Sequence, residues 1–219
     1  MAKVFIGVGH GGNDSGAVGK DNLLEKSLNL SIAMACAAEL ERYGVSVRLS
    51  RTTDENDPVF QEVVECNNFA PDLAVDIHNN AGGGDGAEVY HHHLGGKGKT
   101  LASNILSEII KTGQNSRGIK TRKNSTGKDY YQFIRDTKAP AVIVECAFID
   151  NAEDVKIIDT SHKQEQMGVV IARGILKTLG IPCKPTKLYK VQTGAYTHKS
   201  NAEAEAKRLR AAGFNAIII

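Results

Sequence analysis

The sequence has no paired cysteines, no low-complexity segment, no apolar run long enough to span a bilayer and almost no net charge. Each absence removes a class of protein. Cys36, Cys66, Cys146 and Cys183 are scattered and form no C-x-x-C pair, so neither a thiolate zinc site nor a disulfide framework is signalled. Each lies in or beside an apolar run and reads as a small, reduced, buried hydrophobe. Twenty-seven Lys and Arg against 25 Asp and Glu leave a formal charge of +2, which gives no general attraction to nucleic acid or to a membrane surface. A membrane-spanning helix needs about 20 apolar residues in a row, and no segment reaches that. The chain enters an apolar strand pattern at Val4-Phe5-Ile6 without the charged region, long apolar region and cleavage site of a secretory signal, so synthesis in the cytoplasm without a signal peptide is expected.

What is present fits one sizeable core with an appendage. Twenty-two glycines in 219 residues suit an α/β protein with many tight turns. Apolar, β-branched runs recur at Val4–Val8, Val45–Leu49, Leu73–Ile77, Ala87–Tyr90 and Ala141–Val144, too continuous to alternate strictly, as in strands covered on both faces. Helical patterns lie between them. One places Leu28, Ile32, Ala35, Cys36, Leu40 and Tyr43 on one face and stops at Gly44, and others cover 58–69, 99–111 and 163–179. The expectation is an α/β fold, a mainly parallel sheet with helices on both faces, occupying residues 1–179. Sites in such sheets form beyond the carboxyl ends of the strands. Residues 180–187 carry a helix-breaking glycine and two prolines and read as a linker. Residues 188–219 then read as a short βαβ segment: strand-like Leu188–Thr193, helical Asn201–Ala212 and strand-like Asn215–Ile219. From Pro185 onward six Lys and Arg stand against two Glu, so this basic tail is a separate unit attached to a slightly acidic body. Its terminal Ile217-Ile218-Ile219 leaves an apolar edge, which implies truncation, pairing with another chain or packing on the main body.

Four residues stand where chemistry is expected. His10 lies in Gly7-Val8-Gly9-His10-Gly11-Gly12 at the end of the first strand. The glycines match a dinucleotide fingerprint in form, but a polar loop, 13–20, intervenes where that motif needs a helix to open at once. Glycines around a histidine instead let backbone and substrate approach a bound metal. Glu25, three residues after Asn22, fits a capping-box glutamate. It also fits a metal ligand, because the loop from His10 returns the chain over the same sheet edge. His78 ends the buried run Asp72–Ile77 before Asn79-Asn80 and a glycine cluster, well placed as a ligand. Two histidines, one glutamate and an open position make a catalytic zinc set, able to activate water near neutral pH. Glu145 closes the apolar strand 141–144, where a carboxylate must be paired, hydrogen-bonded or functional, and the functional reading is a general base. In His91-His92-His93 an extended strand turns His91 and His93 one way and His92 the other, so the run reads as surface or rim. Lys97, Lys99, Lys120, Arg122, Lys123 and Lys128 read as solvated loop residues, some able to meet peptide carboxylates. Ser15 lacks the strand-to-helix elbow that a serine nucleophile needs.

Together, Gly9-His10-Gly11-Gly12, Glu25, Asp76-Ile77-His78-Asn79-Asn80 and the run Pro140 to Asn151 resemble the zinc-dependent N-acetylmuramoyl-L-alanine amidases of the amidase 3 type, over residues 2–179. Gly86-Ala87-Glu88-Val89-Tyr90, Arg117-Gly118 and Phe133-Ile134-Arg135 also match. The resemblance implies that His10, Glu25 and His78 bind Zn2+, that Glu145 is the catalytic carboxylate, and that the bond cut joins N-acetylmuramic acid to the first L-alanine of the peptidoglycan stem peptide. Where the family shows Thr/Ser-Gly-Phe after the glutamate, this chain has Cys146-Ala147-Phe148. The tail, Tyr189-Lys190-Val191-Gln192-Thr193-Gly194-Ala195-Tyr196 and onward, is similar to the first half of a SPOR domain, a module that binds glycan strands stripped of their peptides.

The partners expected are therefore bacterial peptidoglycan and, through the tail, denuded glycan, with no nucleic acid and no membrane insertion; the sequence does not set an oligomeric state. A zinc carboxypeptidase or peptidase acting on the stem peptide is the alternative enzyme, and a non-catalytic peptidoglycan-binding module the alternative of another class. Without a signal peptide the enzyme is expected to meet the wall on release, in phage lysis as an endolysin or in programmed cell lysis as an autolysin.

Overall fold

The computed structural model describes residues 1–183 and 192–212, with Phe214, Ala216 and Ile218. The chain divides into two compact units, Met1–Cys183 and Lys184–Ile219. In the first, the elements run β1 (Lys3–Val8), α1 (Glu25–Arg42), β2 (Ser46–Leu49), α2 (Val59–Phe69), β3 (Leu73–Asn80), β4 (Ala87–His91), α3 (Lys97–Ile109), β5 (Ser116–Lys120), α4 (Gln132–Asp136), β6 (Ala141–Phe148), α5 (Ala152–Ile158) and α6 (Ser161–Leu179). The second unit contains α7 (Lys199–Ala211), braced by an Arg208–Glu205 ion pair one turn apart. The tail's strand-like segments 188–193 and 215–219 fall largely outside the described residues.

The six strands form one sheet in the order β2-β1-β3-β6-β4-β5. Four pairings are parallel and one, β4 with β6, is antiparallel. The sheet is thus mainly parallel, as the alternation of strand and helix implies, with β4 and β5 reversed. Strand alternation sends Val4, Ile6 and Val8 to one face and Phe5 to the other. On the first face Val75, Ile77, Val142 and Val144 pack with Leu28, Ile32 and Cys36 of α1, Leu101 and Ile105 of α3, and Ile171 and Ile175 of α6. On the second, Phe5, Ala74, Ala141 and Ile143 meet Val63 and Cys66 of α2 and Phe133 and Ile134 of α4. Covering both faces removes the polar half of the strand pattern, which is why the strands read as continuous apolar runs.

Three short elements carry no hydrophobic signature in the sequence. β5, Ser-Arg-Gly-Ile-Lys, is an edge strand with one apolar side chain. α4 spans five residues and α5 seven. α5 is fixed by a cap, since the Asn151 side chain accepts from the amides of Glu153 and Asp154. Among the described residues no helix is long and apolar enough to cross a membrane.

Candidate active site

The carboxyl ends of β1, β3 and β6 lie side by side, and the residues of interest sit there. In the parallel register Gly7 pairs with Asp76 and Val8 with Ile77, and His78 pairs with Glu145. The β3–β6 ladder then shifts between His78 and Asn80, an irregularity of the kind that re-aims groups beside functional sites. It turns the Asn79 amide onto Glu25 Oε1 at 3.1 Å. His10 holds a left-handed backbone conformation, φ 64°, unusual for a side-chain-bearing residue.

Glu25 stands between the two imidazoles. Its Oε2 lies 3.2 Å from His10 Nε2 and its Oε1 3.1 Å from His78 Nδ1. The ring centroids are 5.0 Å apart and nearly perpendicular. One ligand atom from each of the three residues lies within 4.8 Å of the others. Of the two roles open to Glu25 in the sequence, the carboxylate does not cap its own helix: α1 begins with Leu24 at the cap position and no side-chain cap bond. It accepts instead from the Ala17 amide at 2.8 Å and from Asn29 Nδ2 at 3.3 Å. Asn29 also bonds to Gly9 O and to Asn79, tying helix, loop and strand together.

The outer nitrogens fix the rings. His10 Nδ1 donates to Asp14 Oδ2 at 2.9 Å, and His78 Nε2 to Asp76 Oδ2 at 3.2 Å. A carboxylate on the far nitrogen holds the N–H there and turns the lone pair of the near nitrogen inward, the arrangement that orients metal-ligating histidines. The glycines explain themselves in the same terms. A Cβ on Gly9 would fall 2.2 Å from His78 Cε1, and one on Gly16 2.6 Å from both Glu25 Oε2 and His10 Cδ2.

The charge balance is negative. Burial opposes ionisation of Glu25, yet hydrogen bonds from both histidines outweigh it and hold the carboxylate far below its usual range. Burial likewise opposes protonation of His78 and His10, and the surrounding carboxylates overturn it. His78 is raised well above its ordinary value by Asp76 and Glu25, and His10 is raised by Glu25 and Asp14. Asp14, Glu25 and Asp76 thus hold positive charge on the two rings, and a bound cation displaces those protons. Behind Asp76, Glu62 is buried, and desolvation with the charges of Asp76 and Asp57 keeps its proton on well above the ordinary range.

Glu145 projects from the same face as His78. Burial raises its pKa to about 7, against the lowering influence of His78 and with repulsion from Glu25 and Glu88 adding to it. Its Oε2 is buried without a hydrogen-bond partner, so the ion pair or helix bond that position alone allowed is not what holds it. Cys146 follows on the opposite face of the strand, fully buried, with its thiol pushed far up by desolvation. A donor set of two imidazoles and a carboxylate, an unpartnered carboxylate oxygen beside it and a surplus of negative charge together fit a divalent cation.

The histidine run differs from the sequence expectation. β4 ends at His91, so strand alternation does not govern the next two residues. His92 and His93 stack, with centroids 4.7 Å apart, and both rings reach Asp129 Oδ2, at 3.0 and 2.8 Å. This second cluster has the spacing of a metal set, but its hydrogen bonds oppose one. The Leu94 amide donates to His92 Nδ1 at 3.1 Å, which places the ring proton on Nε2, facing Asp129. With Nδ1 accepting, the His92 ring cannot give up the Nε2 proton and stay neutral. The outer nitrogens of His10 and His78 instead face carboxylates and can carry the proton while the inner ones bind a cation. Asp129 Oδ1 also accepts the His93 amide, and the cluster clasps the loop before α4 to the end of β4.

Several working residues were not singled out from sequence. Asp14 is four residues past His10 in a polar loop, with no local pattern to mark it. Asp76, two before His78 on a strand, necessarily shares its face, and that period was there to be read. Asp150, in the matching run around Glu145, and Asp154, in the first turn of α5, are structural. Asp150 accepts the amides of Gly82 and Gly83, and Asp154 those of Gly86 and Phe148. They pin the glycine loop along the rim.

Residues 4–177 match the family model described as N-acetylmuramoyl-L-alanine amidase, and residues 184–219 match that of the SPOR domain. Along its full length the chain is similar to the sporulation-specific N-acetylmuramoyl-L-alanine amidase of Bacillus subtilis, with 36% identity over 100% of this chain and 85% of that protein. Among solved structures, Cwp6 from Clostridium difficile is similar with TM-score 0.80 and 39% identity, covering 81% of this chain and 29% of that one. The N-acetylmuramoyl-L-alanine amidase AmiC2 of Nostoc punctiforme gives TM-score 0.74 and 32% identity over 82% of this chain and 97% of that one.

Proposed function

The chain belongs to the N-acetylmuramoyl-L-alanine amidase family, and from that premise we propose that His10, Glu25 and His78 hold one zinc ion and that Glu145 is the catalytic carboxylate. The enzyme is a peptidoglycan hydrolase that cuts the amide between N-acetylmuramic acid and the L-alanine of the stem peptide. The observation carrying the site assignment is the convergence of three inward-turned donors beside a carboxylate whose buried Oε2 has no partner.

A zinc ion held there supplies Lewis acidity, making water nucleophilic near neutral pH and polarising a carbonyl. The chain supplies the rest. Asp14 and Asp76 hold the imidazoles in the tautomer that presents the inner nitrogens. Glu145 takes a proton from the attacking water and delivers it to the departing alanine nitrogen. A carboxyl with a pKa near 7 suits both halves of that transfer, because it accepts and releases a proton at similar cost. Its unpartnered oxygen leaves the accepting atom uncommitted.

The second unit matches the SPOR domain, and in our reading it binds glycan strands already stripped of peptides, keeping the enzyme on its own product. We further assign the enzyme to wall degradation at lysis, phage or programmed; the support is its similarity to a sporulation-specific amidase over the whole chain and to an endolysin of Bacillus phage SPP1 over 83% of it. Digestion of purified wall tests the bond assignment. The expected products carry new alanine N-termini without new reducing sugar ends; new N-termini only on later stem residues would instead make the chain a stem peptidase.

A further inference from the structure

The row of side chains that contains the active site continues past Glu145. His78 on β3 pairs with Glu145 on β6, and Glu145 with Glu88 on β4, so the three project from one face of the sheet. The next strand, β5, places Lys120 opposite Tyr90, on that same face. Glu88 is buried and accepts from Arg117 Nε at 2.6 Å and from Lys120 Nζ, both on Oε2, and from the Tyr90 hydroxyl at 2.9 Å and Asn80 Nδ2 at 3.2 Å on Oε1. Burial opposes its charge, but Lys120, Arg117 and Tyr90 hold it ionised. Lys120 is therefore part of a built site on an edge strand and not of a solvated loop.

Two cations share the one carboxylate they touch, and Asp85 acts on Arg117 only from a distance. The Arg117 and Lys120 side chains remain 35% and 31% exposed, whereas Glu88 is 3% exposed. The two terminal nitrogens of Arg117 make no hydrogen bond among the described residues, and the guanidinium carbon lies over the Phe148 ring, 4.9 Å from its centroid. An arginine fixed through Nε and held over an aromatic ring presents its outer edge as a ready fork for a carboxylate.

We propose that Arg117 and Lys120, held by buried Glu88, form a subsite for a free carboxylate of the stem peptide, beyond the alanine released by Glu145. This rests on the amidase reading above and narrows its substrate class. Two strand spacings separate β6 from β5, about 10 Å, and an extended peptide advances about 3.3 Å per residue. Allowing for the reach of the cationic side chains, the carboxylate belongs to the second or third stem residue.

The test uses the full chain and pairs of muramoyl-peptides that differ only in carrying a carboxylate or a carboxamide at the second residue, or at the third. For one of the two pairs the wild-type kcat/KM ratio, carboxylate over carboxamide, is expected to be about tenfold, carried mainly by KM, as for one charge-assisted contact. In Arg117→Ala the ratio falls toward one, and Arg117→Lys retains part of it. Lys120→Met, on an exposed edge strand, provides the same reading should Arg117→Ala fold poorly. A ratio near one for both pairs in active wild-type enzyme overturns the subsite and leaves the amidase intact, as does an unchanged ratio in both alanine and methionine variants. Absence of alanine release from every substrate would instead count against the amidase reading itself.

Discussion

Replacing Glu145 with glutamine is expected to lower kcat by about 10^3-fold, within the range for removing a general acid–base group, with KM and zinc content little changed. Glutamine keeps the size of the side chain, and the position is half-buried in β6 between His78 and Glu88 with no hydrogen bond to lose at Oε2, so the fold has no reason to respond. What is lost is the ability to take a proton. The pH profile should carry the same signature. A general base works ionised, and burial raises the Glu145 pKa to about 7. Activity of the wild type therefore falls as pH drops through that pKa, with the acid limb at or below about 7, because a cation bound beside it favours the carboxylate. The residual activity of the glutamine variant should lack that limb. Rates against pH for both proteins check this, and an unchanged limb in the variant would assign it to another group.

Removal of Glu25 is expected to abolish metal binding as well as turnover. Its carboxylate is the link between His10 and His78 and also receives the amides of Ala17 and Asn79. In Glu25→Ala two imidazoles remain, with Asp14 and Asp76 on their outer nitrogens, one donor short of the three that a catalytic zinc site uses. Zinc per chain, measured on protein dialysed against metal-replete buffer, should fall from one toward zero. A thermal readout separates loss of the site from loss of the fold. Ligand at 100 times its Kd stabilises a folded protein by about 2.7 kcal/mol, so zinc should raise the wild-type melting temperature and leave that of a folded Glu25→Ala chain unmoved. A cooperative melt with an undiminished zinc response would remove Glu25 from the ligand set.

What the sequence reveals of the structure divides along burial. The strands that build the sheet's centre, β1, β3 and β6, are covered on both faces by helices, and their apolar runs announce them. β5, α4 and α5 do not announce themselves, because they are held by an edge pairing, by packing of Phe133 and Ile134, and by the Asn151 cap, none of which leaves a periodic pattern. His10 and His78 are legible because a strand end in such a sheet is already a place where sites form. Glu25 and Glu145 each carried a structural alternative in the sequence, and the hydrogen bonds speak to those alternatives: Glu25 does not cap its own helix, and Glu145 Oε2 has no hydrogen-bond partner. The reversal of β4 was there to be read, since the six residues 81–86 that join it to β3 are too few for a parallel crossover, and β5 follows β4 in parallel through α3. That reversal brings Glu88, Arg117 and Lys120 beside Glu145. The histidine run failed because β4 ends at His91, two residues short of what three histidines in a strand require.

If the donors of His10, Glu25 and His78 hold the zinc on which this amidase depends, metal and activity rise and fall together. Zinc content per chain and the rate of alanine N-terminus release from purified wall, followed through chelator dialysis and zinc add-back, measure both at once. One zinc per chain, with release lost on removal and recovered in proportion to the zinc restored, is the expected outcome; release at the full rate from metal-free chain would contradict the zinc assignment.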